Sequence, residues 1–220
     1  MNVLITGANG GLGAVVCREY AASGATVIAA ARSWKETAPY ATISADLATR
    51  EGCEAMVQQA LRSGPIDALV HLVGGFAGGT PISQTTDEVW DGMMNINVRA
   101  AFCAIRAVLG PMAAAGRGRI VAVGSRAAVE PSPNLAAYAV SKAALVALVK
   151  NAAVEASAFG VTANVVLPST IDTPPNRAAM PTADFTRWVT PESIARLLMY
   201  LTSDAAANTS GAVIPIYGGA

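Results

Sequence analysis

"LITGANGGLG", Leu4 to Gly13, sets four glycines in ten residues directly behind a short apolar run. Glycine is a weak former of both strand and helix. A chain that concentrates it here needs a backbone that turns where a Cβ clashes, or one that another molecule approaches closely. Before the glycines, Val3–Thr6 is short, apolar and β-branched, a strand pattern. After them, Leu12, Val15, Val16 and Tyr20 recur at helical spacing until Gly24. Strand, glycine turn, helix is the setting in which a dinucleotide pyrophosphate rests on backbone N–H groups at a helix N-terminus. A tight strand–helix turn with no ligand has the same local form, so the reading depends on the rest of the chain.

The rest of the chain repeats the alternation. Strand patterns are expected at 25–31, 41–45, 68–73, 119–123, 161–167 and 212–216. Helical patterns are expected at 12–23, 50–63, 86–109, 136–159 and 191–201. Continuous apolar strands separated by helices imply a parallel sheet covered on both faces. Right-handed crossovers then give a single-domain, Rossmann-like α/β fold over residues 1–220, a doubly wound parallel sheet of about seven strands. One irregular stretch, 168–190, is too long for an ordinary connection and reads as a substrate loop or lid.

Composition narrows the classes. The 220 residues are 53% apolar and 14% charged, enough to bury a sizeable core and unlike a disordered chain. Fifteen basic and fifteen acidic residues cancel, which gives no ground for nucleic acid or an anionic membrane as partner. No unbroken apolar run of spanning length occurs, and no secretory leader is visible. Cys17, Cys53 and Cys103 are odd in number and form no C-x-x-C pair, so they read as buried thiols in a reducing cytoplasm. His71 is the single histidine, which excludes a histidine-rich metal site; no metal is expected. Met93, Met94, Phe102, Leu145 and Leu148 recur at helical spacings, as core or subunit interface.

The spacing of the opening motif is Thr6-Gly7-x-x-x-Gly11-x-Gly13, not G-x-G-x-x-G. It resembles the short-chain dehydrogenase/reductase family. Further matches follow in order along essentially the whole chain: Asp46 after the third strand, Asn97 in "NINVRAAF", Ser125 ending the fifth strand, Tyr138-x-x-x-Lys142 in "YAVSK", and "NVVLPSTIDT" at the sixth strand. The resemblance implies a catalytic set of Asn97, Ser125, Tyr138 and Lys142. It implies cofactor contacts from Gly7, Asn9, Gly11, Leu12 and Gly13, from Arg32 and Ser33, from Asp46 and Leu47, and from Gly74. Tyr138 and Lys142 join them, with Pro168, Thr170, Ile171 and Thr173.

Chemistry supports that set. Residues i and i+4 share a helix face, so Tyr138 and Lys142 project together. A nearby cation favours the phenolate, and Lys142 with an oxidised nicotinamide is expected to lower the tyrosine's pKa. Tyr138 then gives a proton to a carbonyl oxygen or takes one from an alcohol, while Ser125 hydrogen-bonds the same oxygen. The resemblance adds that Lys142 holds the nicotinamide ribose and that Asn97 supports a water-mediated proton path behind it. Singly, each residue has a plainer role: a half-buried tyrosine, a solvated lysine, a capping serine, a backbone-paired asparagine.

The second strand ends in Ala31, followed by Arg32 and Ser33, where an NAD enzyme places an acid on the ribose 2′-OH. An arginine there suits a 2′-phosphate, a contact worth about 1.5–3 kcal/mol. NADP(H) is therefore preferred over NAD(H), with an arginine stacked on the adenine as the alternative. Two departures from the family stand out: His71-Leu72-Val73-Gly74 replaces Asn-Asn-Ala-Gly, and Ser169 follows Pro168 in place of glycine. "LVGGFAGG" and "IDTPPNRAAMPTADFTRW" resemble the dihydropteridine reductase branch, whose pattern uses NADH and lacks the serine. Phe76, Met180, Phe185 and Trp188 either line a pocket for a flat or apolar carbonyl compound or bury one another within the loop. The leading function is hydride transfer between NADPH and a small carbonyl compound, or the reverse alcohol oxidation. A quinonoid dihydropteridine reductase and a non-catalytic NADP(H) sensor are the alternatives. The long apolar helices and the resemblance imply a homodimer or homotetramer.

Overall fold

A computed structural model describes residues 1–34 and 37–219. Seven strands form one parallel sheet: β1 (Asn2–Thr6), β2 (Thr26–Ala31), β3 (Ala41–Ser44), β4 (Ala68–His71), β5 (Gly118–Val123), β6 (Val161–Pro168) and β7 (Val213–Ile216), in the order 3-2-1-4-5-6-7. Their apolar runs are continuous because both faces are covered. On one face Leu4, Ile28, Leu69 and Ile120 pack with residues of α2 (Arg50–Ala60), α4 (Ala100–Ala115) and α5 (Ala136–Ala156). On the other, Val3, Ile5, Val70 and Val121 pack with Val16 and Tyr20 of α1 (Gly11–Ala22) and with Ile194 and Leu198 of α7 (Pro191–Thr202). β7 is an edge strand, where Pro215 fits because one row of its backbone groups needs no ladder partner.

Strand order reverses between β1 and β4. From β1 the chain winds outward to β2 and β3, returns to β4 on the other side of β1, and winds outward again. Loops leaving β1 and β4 therefore diverge, and a crevice opens at the carboxyl ends of the strands.

The expected single helix 86–109 is three pieces. α3 (Asp87–Met94) is capped by Thr86 and carries Asp87 and Glu88 in its first turn. A π-helical turn, Asn95–Arg99, follows, and then α4. Such a turn inserts an extra residue and re-aims the side chains around it, here burying Asn97. α4 also runs past Pro111 to a left-handed stop at Gly116 (φ 66°). Buried Met112 supplies the reason: it packs against the glycine at 118, where any Cβ would meet its sulfur at 2.6 Å. The stretches Asp87–Ala115 and Ala136–Phe159 are long and apolar enough to cross a bilayer by length and composition alone. Here each lays its buried residues against the sheet.

His71, in place of the family's asparagine, lies wholly buried in β4 between Thr6 of β1 and Ala122 of β5. Its Nδ1 is 2.9 Å from Thr6 Oγ1, so it does tie two strands together. Burial, and then the charge of Lys142, push its pKa down from 6.5 to about 3. The folded chain thus stays unprotonated where the unfolded chain binds a proton. The resulting stability is full above pH 6.5 and is lost as the pH falls below it. From pH 7 to pH 5 urea titrations should show a loss of about 2 kcal/mol from this source, absent in His71→Asn; equal pH dependence in the two proteins would contradict it.

Candidate active site

The glycine turn is built by exclusion. Gly7 is left-handed (φ 71°), and its carbonyl accepts from the Gly10 N–H at 3.1 Å. A Cβ on Gly13 would strike that same carbonyl and lie 2.8 Å from Ala8 Cα. A Cβ on Gly7 would lie 3.0 Å from the backbone of Leu72 and Val73, where the chain leaves β4. α1 then starts at Gly11 with no side-chain cap and no acid in its first turn. Its leading N–H groups and its positive dipole end are left for an anion. The turn fits a dinucleotide pyrophosphate.

An open cleft of about 1070 Å3 runs from this turn along the carboxyl edge of the sheet. Of the residues read from the sequence, Gly7, Gly11, Leu12, Gly13, Gly74, Phe76, Ser125, Tyr138, Lys142, Pro168, Thr170, Ile171, Thr173 and Met180 line it. Ser125 lies two residues beyond β5 and caps the short helical turn that follows, its Oγ accepting from the Ala127 N–H at 3.2 Å. The hydroxyl proton is thereby left to donate, and Ser125 lies close enough to Tyr138 to act on its pKa. Tyr138 stands in the first turn of α5, with Phe76 edge-on at 5.0 Å between ring centroids. Lys142 lies one turn on, 95% buried, with Nζ 6.0 Å from the Tyr138 ring centre and donating to Val123 O at 3.3 Å.

The expected lowering of the Tyr138 pKa draws on an oxidised nicotinamide as well as on Lys142, whose ammonium here donates to Val123 O. In the chain alone, burial raises the Tyr138 pKa above its ordinary 10, and the Ser125 contact opposes this. Tyr138 is therefore a firmly protonated phenol at neutral pH. Lys142 is the group shifted toward neutrality, its pKa brought from 10.5 down to about 8 by burial.

Asn97 stands behind the cleft, not on it. Its Oδ1 accepts from the Gly75 N–H at 3.0 Å, and its Nδ2 donates to Gly75 O at 3.1 Å and Ser141 Oγ at 3.0 Å. These bonds clamp the loop after β4 onto α5. The clamp is close: a Cβ on Gly74 would lie 2.8 Å from Lys142 Nζ and 2.9 Å from Asn97 Oδ1.

Asn9, Arg32, Ser33, Asp46 and Leu47 are not among the residues that line this cleft. Asn9 Nδ2 donates to Ser33 O at 2.8 Å, tying the glycine turn to the end of β2. Arg32 beside it is exposed and makes no ion pair among the described residues. Asp46 is exposed beyond β3, its carboxylate accepting from the Ala48 N–H at 3.0 Å, and Leu47 is buried in the core. Ser169, where the family has glycine, donates to Tyr217 O at 2.6 Å and fastens the end of β6 to the chain beyond β7.

The segment 168–190 is ordered, with α6 (Pro174–Ala179) inside it. Thr173 and Met180 reach the cleft; Phe185 and Trp188 do not. Those two rings pair at 4.8 Å, and Arg177 stacks on Phe185 at 4.7 Å while gripping Asp172 with two nitrogens. Phe185 and Trp188 thus hold the loop's own shape. At its far end Arg187 exchanges hydrogen bonds with Gly219, Nε to O at 2.9 Å and Gly219 N to Arg187 O at 3.1 Å.

Sequence reading missed the wall between Ser125 and Tyr138. Arg126, Glu130, Ser132 and Leu135 line the cleft there. Arg126 bonds Glu130 at 2.6 Å and stacks on Tyr217. The opposite charges four apart were the available signal. Among the described residues no group of three or more His, Cys, Asp or Glu could hold a metal.

Known proteins are similar to this chain in sequence and fold. The family profile described as short chain dehydrogenase matches residues 1–184. A putative ketoacyl reductase of the monensin polyketide synthase from Streptomyces virginiae is 34% identical, over 98% of this chain and 95% of that one. The 3-oxoacyl-[acyl-carrier-protein] reductase MabA of Mycobacterium tuberculosis is 30% identical, over 99% and 92%. The crystal structure of levodione reductase superposes with a TM-score of 0.91 at 29% identity, over 99% and 96%.

A pH titration tests the buried ammonium. Charge on Lys142 is present below about pH 8 and lost above it, so the affinity for a nicotinamide dinucleotide should fall as the pH rises through that value. Fluorescence titrations that gave the same affinity at pH 7 and pH 9 would separate Lys142 from binding.

Proposed function

The chain belongs to the short-chain dehydrogenase/reductase family, and on that premise we propose an NADPH-dependent reductase of a small carbonyl compound, able to run in reverse on the alcohol. The observation that carries this reading is the convergence of Ser125, Tyr138 and Lys142 on a cleft whose other end is the glycine turn. The reduced dinucleotide, when bound, supplies the hydride. Gly7, Gly11, Gly13 and the first turn of α1 hold its phosphates, and Lys142 holds its nicotinamide ribose. Ser125 donates its free O–H to the carbonyl oxygen and so stabilises charge developing there. Tyr138 gives its phenolic proton to the same oxygen, completing the alcohol. Its raised pKa suits a donor at neutral pH, and an oxidised nicotinamide, when bound, would favour the phenolate in the reverse direction. Asn97 keeps Lys142 in place by clamping the loop that borders it.

NADP(H) over NAD(H) rests on Arg32, exposed after a strand that ends in alanine. A quinonoid dihydropteridine is the second substrate reading, favoured by the exposed ring of Phe76 beside Tyr138, a flat apolar surface at the reacting end of the cleft. Self-association, as a dimer or tetramer, draws support from the exposed apolar side chains of Phe102 on α4, Val154 on α5 and Phe159 just beyond it. The three cysteines are free and buried, in keeping with a reducing cytoplasm.

Tyr138→Phe should keep the fold and the NADPH affinity and lower turnover by about 10²–10⁴-fold. Assays would use a panel of carbonyl compounds and a quinonoid dihydropteridine. Near-wild-type rates on every accepted substrate would rule out the proton transfer. Tight NADPH binding with no turnover on any would favour the sensor reading.

Arg32→Ala should weaken NADPH by about ten- to a hundredfold and leave NADH nearly unchanged, and Ala31→Asp should shift preference toward NADH. Equal losses for both cofactors in Arg32→Ala would remove the 2′-phosphate contact.

A further inference from the structure

The chain's single histidine has no part in the reaction described above, yet it feels the charge of Lys142, the residue on which that reaction leans. His71 and Thr6 occupy the same register in neighbouring strands, as do Leu69 and Leu4. Strand alternation therefore puts the His71 side chain on the sheet face that carries Leu4 and Leu69, the face on which α5 packs Leu145 and Val149. Lys142 stands three residues before Leu145 on the buried side of α5. Around the imidazole, β1 brings neutral Thr6, β5 brings neutral Ala122 and α4 brings buried alanines. Lys142 is the charged group that acts on it, and with burial it keeps the ring neutral.

Both groups have unmet capacity. The Nδ1 of His71 pairs with Thr6 Oγ1, but Nε2 is buried without a partner among the described residues. Lys142 has three N–H donors and one acceptor among the described residues, Val123 O. A neutral imidazole carries one N–H and one lone pair. With the proton on Nδ1, pointing at Thr6, the lone pair falls on Nε2 and complements an ammonium. With the proton on Nε2, donors face donors. Buried polar groups of this kind are commonly joined by a water with two or more partners.

We propose that His71 is a positioning residue for Lys142: it donates Nδ1–H to Thr6 Oγ1 and accepts at Nε2, through one buried water, from the Lys142 ammonium. The contact keeps the ammonium charged and fixed at the edge of the cleft. It also gives the histidine a use beyond joining strands, which the Nδ1 contact alone would serve. The consequence for cofactor binding rests on the role given to Lys142 above; the contact itself does not.

Two measurements test it separately. With 15N-labelled histidine the chain yields a single pair of ring nitrogens. At pH 7 the proton should lie on Nδ1, and Nε2 should be bare and hydrogen-bonded. Lys142→Met should shift the Nε2 signal toward that of a free nitrogen and leave Nδ1 in place. A proton on Nε2 in the wild type, or an Nε2 signal unmoved by Lys142→Met, overturns the proposal. The second measurement compares His71→Gln, whose amide reaches the place of Nε2, with His71→Asn, whose amide reaches that of Nδ1. In NADPH titrations across pH, Gln should stay within about twofold of wild type. Asn should lose affinity at a pH about one unit lower, because an ammonium without its acceptor gives up its proton sooner. An Asn variant that matches wild type overturns the proposal whatever Gln does. Failure of the wild type to bind any nicotinamide dinucleotide would instead sink the functional reading and leave the ring-nitrogen measurement to decide this one.

Discussion

A lysine ammonium buried at the carboxyl edge of the sheet is the constraint around which the site is arranged. Charge in such a place is costly, and burial alone brings the Lys142 pKa down to about 8. The neighbours are fitted to that cost. Val123 turns a carbonyl to it, and Gly74 has no side chain because any Cβ would fall on Nζ. Asn97 holds the glycine loop in the one position that leaves the ammonium room. Burial, and second to it the same charge, keeps His71 neutral deep in the sheet. Fold and site meet here: the residues that close the loop after β4 are the ones that make the buried cation tolerable.

Much of this was legible in the residues. Continuous apolar strands between amphipathic helices specify a parallel sheet, and seven strands lie where those runs fall. The glycine motif locates the first turn because backbone clashes at Gly7 and Gly13 leave no other residue type. Tyr138 and Lys142 are legible together because four residues make one helical turn.

What escaped the sequence has physical causes. The π turn at Asn95–Arg99 comes from a side chain reaching across to Gly75, a tertiary contact invisible to periodicity. The helix expected to end at 109 runs on past Pro111 to Ala115, a stretch in which Met112 is buried. Phe185 and Trp188 have the composition of a pocket, but their nearest apolar partners are each other, so composition could not say which way they face. Spacing shows that a cation is near Tyr138 but not the desolvation that raises its pKa in the chain alone.

The pairing of Arg187 with Gly219 joins the two ends of the chain's function unequally. Residue 1 precedes β1 at the amino edge of the sheet, on the side away from the cleft. Gly219 is bonded to the segment that borders it. Anything attached beyond Gly219, an affinity tag or a fused fluorescent domain, therefore hangs from the anchor of that segment. The same cargo attached ahead of Met1 hangs from the rigid sheet. For this fold the choice of terminus is a choice of which part of the machine carries the load.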